Sequence, residues 1–188
     1  MKKYLILSLF LLSFSLMAQG TDPVTTFWTN LQKHCGKTYE GTIITGGREG
    51  DGFTGQKLLM NVLSCQDAQI KIPFIAGENR SRTWILTRKG DVLELKHDHR
   101  HEDGSEDKVT MYGGTATNTG SDTLQVFPAD PFTCSLISYA CGNVWWMTLT
   151  DTRFTYNLRR IGSDRVFTVA FDLTRPVEYK EKPWGWQE

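Results

Sequence analysis

Leu93-Glu94-Leu95-Lys96-His97-Asp98-His99-Arg100-His101 alternates apolar or imidazole side chains with charged ones along its whole length. In a β-strand the period of two puts Leu93, Leu95, His97, His99 and His101 on one face and Glu94, Lys96, Asp98 and Arg100 on the other. Three of the chain's four histidines then share the apolar side, so this strand speaks to fold class and to chemistry at once. The residues that follow, Glu102-Asp103-Gly104-Ser105, form a tight-turn sequence with glycine where a positive φ is needed. A bulged loop there sets His101 opposite Ser105, His99 opposite Asp107, His97 opposite Val109 and Leu95 opposite Met111.

Outward from this hairpin the chain reads as more of the same. Short segments rich in β-branched and aromatic residues run over Thr38–Thr45, Gln56–Leu63, Ala68–Ile75, Ser81–Arg88, Asp91–His101, Asp107–Gly113, Thr123–Phe127, Val144–Thr150, Arg153–Arg160 and Arg165–Asp172. Between them lie turns such as Arg88-Lys89-Gly90-Asp91 and Arg160-Ile161-Gly162-Ser163-Asp164, which make consecutive strands neighbours. The fold class is all-β: an antiparallel meander of about 8–10 strands closed into a barrel, which removes the exposed edges. One short helix precedes it. Asp22 caps it, Pro23 occupies its first turn, Val24, Phe27, Trp28, Leu31 and Cys35 recur at helical spacing, and Gly36 stops it, so it reads as a plug or lid. The tail after Pro176, with Tyr179, Trp184 and Trp186, reads as an extended segment packing on the barrel's outside or closing its end.

The chain has 188 residues. Met1-Lys2-Lys3, the apolar run Tyr4 to Met17 and Ala18 read as a signal peptide over residues 1–18, leaving 19–188 as one β-barrel domain that is exported, periplasmic or secreted. No later segment is long and apolar enough to be a membrane-spanning helix. Basic and acidic residues are equal in number over the full chain, and losing Lys2 and Lys3 leaves a slight acidic excess, which argues against a general nucleic-acid binder. In an oxidising compartment Cys35, Cys65, Cys134 and Cys141 read as disulfide partners. Three pairings are open; Cys134 with Cys141 is close enough for a local bridge, leaving Cys35 with Cys65 as the preferred second pair. A zinc site of four thiolates is the sharper alternative, although no spacing is CxxC.

The passage from Phe27-Trp28 through Gly36-Lys37-Thr38-Tyr39-Glu40-Gly41, a short helix entering a first strand, resembles the opening of lipocalin-like (calycin) barrels, including nitrobindin-like ones. The resemblance covers the helix, the first strand and the general meander. It departs from many lipocalins in having Lys37 rather than Trp after Gly36. It implies a cup-shaped barrel that takes a small-molecule ligand, and it carries no specific residue across. Nitrobindin-like barrels hold haem, but no histidine of this chain matches a proximal ligand.

Within the hairpin, a carboxylate from Asp107 opposite His99 would fix the imidazole's tautomer and raise its basicity. Histidines two apart on a strand sit about 6–7 Å from one another, so His97 and His99 can share a transition metal whereas three along one strand cannot. The bland counterpart is a solvated, charge-laced hairpin tip, and one slip of register would turn all three imidazoles outward. A second constellation is Arg82 with Trp84, which with Arg80 and Leu86 share a face and offer a guanidinium beside a Trp wall to an anionic ligand; here the bland counterpart is an edge of solvated arginines above a buried Trp. The Asp103–Asp107 run lacks the glycine and glutamate of a calcium loop. Gly46–Gly55 lacks the lysine of a phosphate-binding loop and reads as a loop at the barrel mouth. Trp145 and Trp146 must face opposite sides of their strand. There is no GxSxG or HExxH motif.

The reading is therefore a small-ligand-binding barrel with a site at its mouth built from His97, His99, His101, Asp107, Arg82 and Trp84. Its rivals are an enzyme, either metal-assisted or using His99 with Asp107 as general base, and a packed barrel that contacts another macromolecule. A transition metal and haem are the candidate cofactors.

Overall fold

The computed structural model describes residues 22–187; the signal-peptide reading of residues 1–18 lies outside them. The described chain begins with α1 (Pro23–Gln32), followed by β1 (Thr38–Thr45), β2 (Leu58–Asn61), a two-residue β3 (Ser64–Cys65), β4 (Gln69–Ala76), β5 (Asn79–Lys89), β6 (Val92–His99), β7 (Tyr112–Thr115) and β8 (Leu124–Pro128). A short helix α2 (Pro131–Leu136) and one turn of 3₁₀ helix come next, then β9 (Asn143–Leu149), β10 (Arg153–Arg160) and β11 (Val166–Val177). All strand pairs are antiparallel, in the order β7-β6-β5-β4-β2-β1-β11-β10-β9-β8, with β3 attached to β4. This is an all-β meander curled into a nearly closed barrel, in keeping with the expectation and with a calycin-like architecture.

The closure has an unusual place. The first and last strands pair with each other, from Thr38 with Val177 to Thr45 with Thr168, so the one unpaired seam falls in mid-chain, between β7 and β8. There the Asp130 amide donates to the Gly113 carbonyl (3.0 Å), and Thr133 Oγ1 both accepts from the Gly113 amide (2.7 Å) and donates to its carbonyl (2.8 Å). Lys96 and Asp130 form an ion pair across the same seam. Gly114 backs directly onto the Pro128 carbonyl, with no room for a Cβ.

Helix α1 starts as its sequence dictates: the Asp22 carboxylate accepts from the Thr25 amide (3.1 Å), and Pro23 fills the first position. Val24, Phe27, Trp28 and Leu31 are buried. The helix covers the barrel end that carries the β5–β6 turn, where Arg88 donates to Thr25 Oγ1 (3.1 Å). Cys35 bonds to Cys65 and Cys134 to Cys141, with no free thiol among the described residues, which removes the zinc alternative. In the tail, the Trp184 amide donates to the Arg80 carbonyl (3.1 Å) and Trp186 packs beside Lys71, so this segment lies on the barrel's outside.

Two local expectations need correction. The returning strand of the histidine hairpin starts at Tyr112, not Asp107. His101 does pair with Ser105, and the Asp107 amide does donate to the His99 carbonyl (3.0 Å), but the next backbone bond to His97 comes from Met111 (2.6 Å). The chain between is a bulge: Asp107 Oδ1 accepts from the Val109 amide, Thr110 Oγ1 accepts from the His99 amide, and Met111 adopts a left-handed φ of 58°. In consequence Tyr112, not Val109, faces His97. The second correction is α2, a further helix where the sequence reading has only the one before β1.

Candidate functional site

Inside the barrel the alternation of β6 holds. Leu93 and Leu95 are fully buried and His97 nearly so; His99 is half-buried, and His101 is exposed. The deep half, toward α1, is filled by side chains such as Leu86, Leu93, Phe154 and Phe171. Toward the opposite end a cavity of about 210 Å³ remains. It brings together four of the expected residues, His97, His99, Arg82 and Trp84, and joins to them Tyr112, Trp145, Tyr156, Phe53, Arg160 and Arg165. His101 and Asp107 do not line it.

The wall of the cavity is an aromatic stack. The Trp84 ring lies 4.8 Å from Phe74 and 4.3 Å from Tyr156, both nearly parallel to it. Phe53, from the Gly46–Gly55 loop, packs between Phe74 and Phe167 with centroids 5.5 and 5.4 Å away, so that loop does reach the mouth. Trp145 faces in while Trp146 stands on the outer face.

A polar chain crosses this apolar wall. His97 Nδ1 is 3.1 Å from the Tyr112 carbonyl and Nε2 is 2.7 Å from the Tyr156 hydroxyl. A carbonyl only accepts, so Nδ1 carries the proton and Nε2 accepts from the Tyr156 O–H. Burial drives the His97 imidazole down to about 3 and pushes the Tyr156 phenol well above its ordinary value, so both stay neutral. His99 Nε2 and the Tyr112 hydroxyl are 3.1 Å apart. Burial first, then the Arg82 charge, lowers His99 to about 4, and burial lifts Tyr112 to about 12.

This geometry bears on the metal and base readings. Both ring nitrogens of His97 are committed, and His99 meets a phenol rather than a second ligand. Among the described residues no group of three or more His, Cys, Asp or Glu could hold a metal ion. The pair His97 and His99 does not fit a metal in this arrangement. Haem does not fit either: the cavity is below even the roughly 300–1,000 Å³ of drug-sized sites, and His97 has no free nitrogen to offer. Asp107 caps the Val109 amide, which lowers its carboxyl, and makes no hydrogen bond to the His99 ring. Tyr112 takes the place expected of Asp107.

Arg82 realises the second constellation. It is half-buried across from His99, with its guanidinium 4.8 Å from the Phe53 ring. Arg80 instead leaves the cavity to pair with Glu181 (2.6 Å). Sequence reasoning overlooked Tyr112, Arg160 and Arg165. The inward period that begins at Phe154 leads through Tyr156 and Leu158 to Arg160, and the one ending at Phe171, Val169 and Phe167 starts from Arg165; that alternation was the available signal. Compared with known proteins, the chain matches no family model, no curated protein and no solved structure.

Proposed function

We propose that this chain is an exported, lipocalin-like carrier that holds one small ligand in the cavity at the open end of its barrel. Trp84, Phe53 and Tyr156 provide the apolar walls, and Arg82, His99 and Tyr112 the orienting polar contacts. His97 is a positioning residue: with Tyr156 it ties two opposite walls of the site together. The observation that carries the reading is the combination of a stacked aromatic wall with partly unsatisfied polar groups in a recess at one barrel end, the arrangement expected of a small-molecule site. Export is supported by the leader sequence and the two disulfides.

The size of the recess favours a metabolite of one or two rings. The test is a thermal-shift and tryptophan-fluorescence screen of the mature protein against small fused-ring compounds, neutral and charged. Saturable binding by at least one class, with the fluorescence response lost in Trp84→Leu, is expected. A flat response across all classes, with no ligand retained by protein recovered from its own host, would overturn the reading.

A further inference from the structure

Three guanidiniums line the cavity, and each is held in the same manner. Arg82 donates to Asn79 Oδ1 (3.2 Å) and lies over Phe53 (4.8 Å). Arg160 donates to Asn143 Oδ1 (2.9 Å) and lies over Tyr139 (4.7 Å). Arg165 donates to the Gly46 carbonyl (3.1 Å) and lies near Phe167 (5.7 Å). In every case a neutral oxygen and an aromatic face fix the side chain, and no carboxylate among the described residues pairs with it.

Several other cations of the barrel are held differently. Arg48, Arg80, Lys96 and Arg100 each pair with an Asp or Glu. Among the described residues none of Arg82, Arg160 and Arg165 does so, and no Asp or Glu lines the cavity. The three are half-buried. Arg160 and Arg165 face each other across the β10–β11 turn, the Arg160 amide donating to the Arg165 carbonyl (3.0 Å), while Arg82 comes from β5. Arg82 and Arg165 both lie near enough to Tyr156 to act on its hydroxyl electrostatically. A guanidinium has five N–H donors, and the neutral oxygens engage only a fraction of them. Partly buried positive charge of this kind is a cost to the fold unless an anion enters.

We infer that the ligand is a small organic anion: an apolar, planar body in the aromatic recess, with one terminal oxyanion received by Arg82, Arg160 and Arg165. The inference rests on the small-ligand reading above and adds the charge of the occupant. Carboxylate, sulfonate and phosphate share the chemistry that guanidinium forks recognise.

The experiment compares naphthalene-2-carboxylate with its neutral amide, naphthalene-2-sulfonate and 2-naphthyl phosphate, by calorimetric titration of the mature wild-type protein at low and high salt. At least one oxyanion is expected to bind about tenfold or more tightly than the amide, the effect of one charge-assisted hydrogen bond, and to weaken with salt. Which one binds best identifies the headgroup. In Arg160→Gln/Arg165→Gln, checked for wild-type circular dichroism and melting, the preference over the amide should collapse, whereas Arg48→Gln, outside the cavity, should retain it. Amide binding as tight as every oxyanion overturns this inference and leaves the small-ligand reading standing. Binding by none of the four overturns both.

Discussion

The imidazole Nε2 of His97 on β6 and the hydroxyl of Tyr156 on β10 meet at 2.7 Å across the interior of the barrel. Their strands are not neighbours in the sheet, so this bond joins opposite walls. It also requires a neutral imidazole, which burial enforces.

Acid should therefore loosen the barrel. An unfolded histidine takes a proton near pH 6.5, whereas His97 in the fold resists until about 3 and His99 until about 4. A depressed histidine contributes stability that is fully present above the unfolded value and is lost as pH falls from about 6.5 toward the folded value. Chemical denaturation between pH 8 and pH 4.5 should show a decline with a slope of up to about 1.4 kcal/mol per pH unit for each group. His97→Phe should be less stable at pH 8 and have a visibly shallower slope. An unchanged slope would contradict the buried neutral imidazole.

The His97–Tyr156 bond can be measured directly. Tyr156→Phe is expected to cost about 1–2 kcal/mol at neutral pH, because the buried His97 acceptor loses its partner. A double-mutant cycle with His97→Phe should return a coupling of about 1 kcal/mol. Additive effects would show that the two side chains are held independently.

The disulfides should differ in weight. Cys35 and Cys65 are 30 residues apart and tie the end of α1 to β3; Cys134 and Cys141 are 7 apart and brace the segment after α2. On loop-closure grounds the paired Cys→Ala variants should lose about 3–4 and about 2 kcal/mol respectively. Removal of the first should also expose α1 to proteolysis, which limited digestion would read.

Gly114→Ala should open the seam. A Cβ there would sit 1.8 Å from the Pro128 carbonyl oxygen, which is backbone and cannot swing aside. A loss of about 3 kcal/mol is expected, with hydrogen exchange rising first at the Asp130 amide. Wild-type protection at that amide would mean that β7 and β8 tolerate separation.

Much of this arrangement is legible along the chain because period two is a strong signal. It places Leu93, Leu95, His97 and His99 inward and puts Trp84 beside Arg82 correctly. It fails at Asp107 because that side chain and Thr110 take backbone amides for themselves, inserting a bulge that no alternation announces. Helix α2 shows the opposite failure: Asp130-Pro131 repeats the capping pair Asp22-Pro23, with the Thr133 amide bound to Asp130 (2.8 Å), yet six residues carry too little apolar periodicity to declare themselves. The convergence of Tyr156 with His97, and of Arg160 and Arg165 with Arg82, depends on how far the sheet curls. Curvature is a property of the whole barrel and is not written in any one strand.

The pairing of Thr38 with Val177 joins residues from nearly the two ends of the described chain. Until β11 arrives, β1 has only β2 beside it, and the strands β8 to β10 have no ladder pairing with the strands β1 to β7. Ordering so long a loop comes before the reward of the contact, so assembly belongs to the slow, high-contact-order class, in milliseconds to seconds rather than microseconds. The last strand thus acts as a timing element: the polypeptide stays an open, unfinished sheet for as long as its C-terminal strand is withheld.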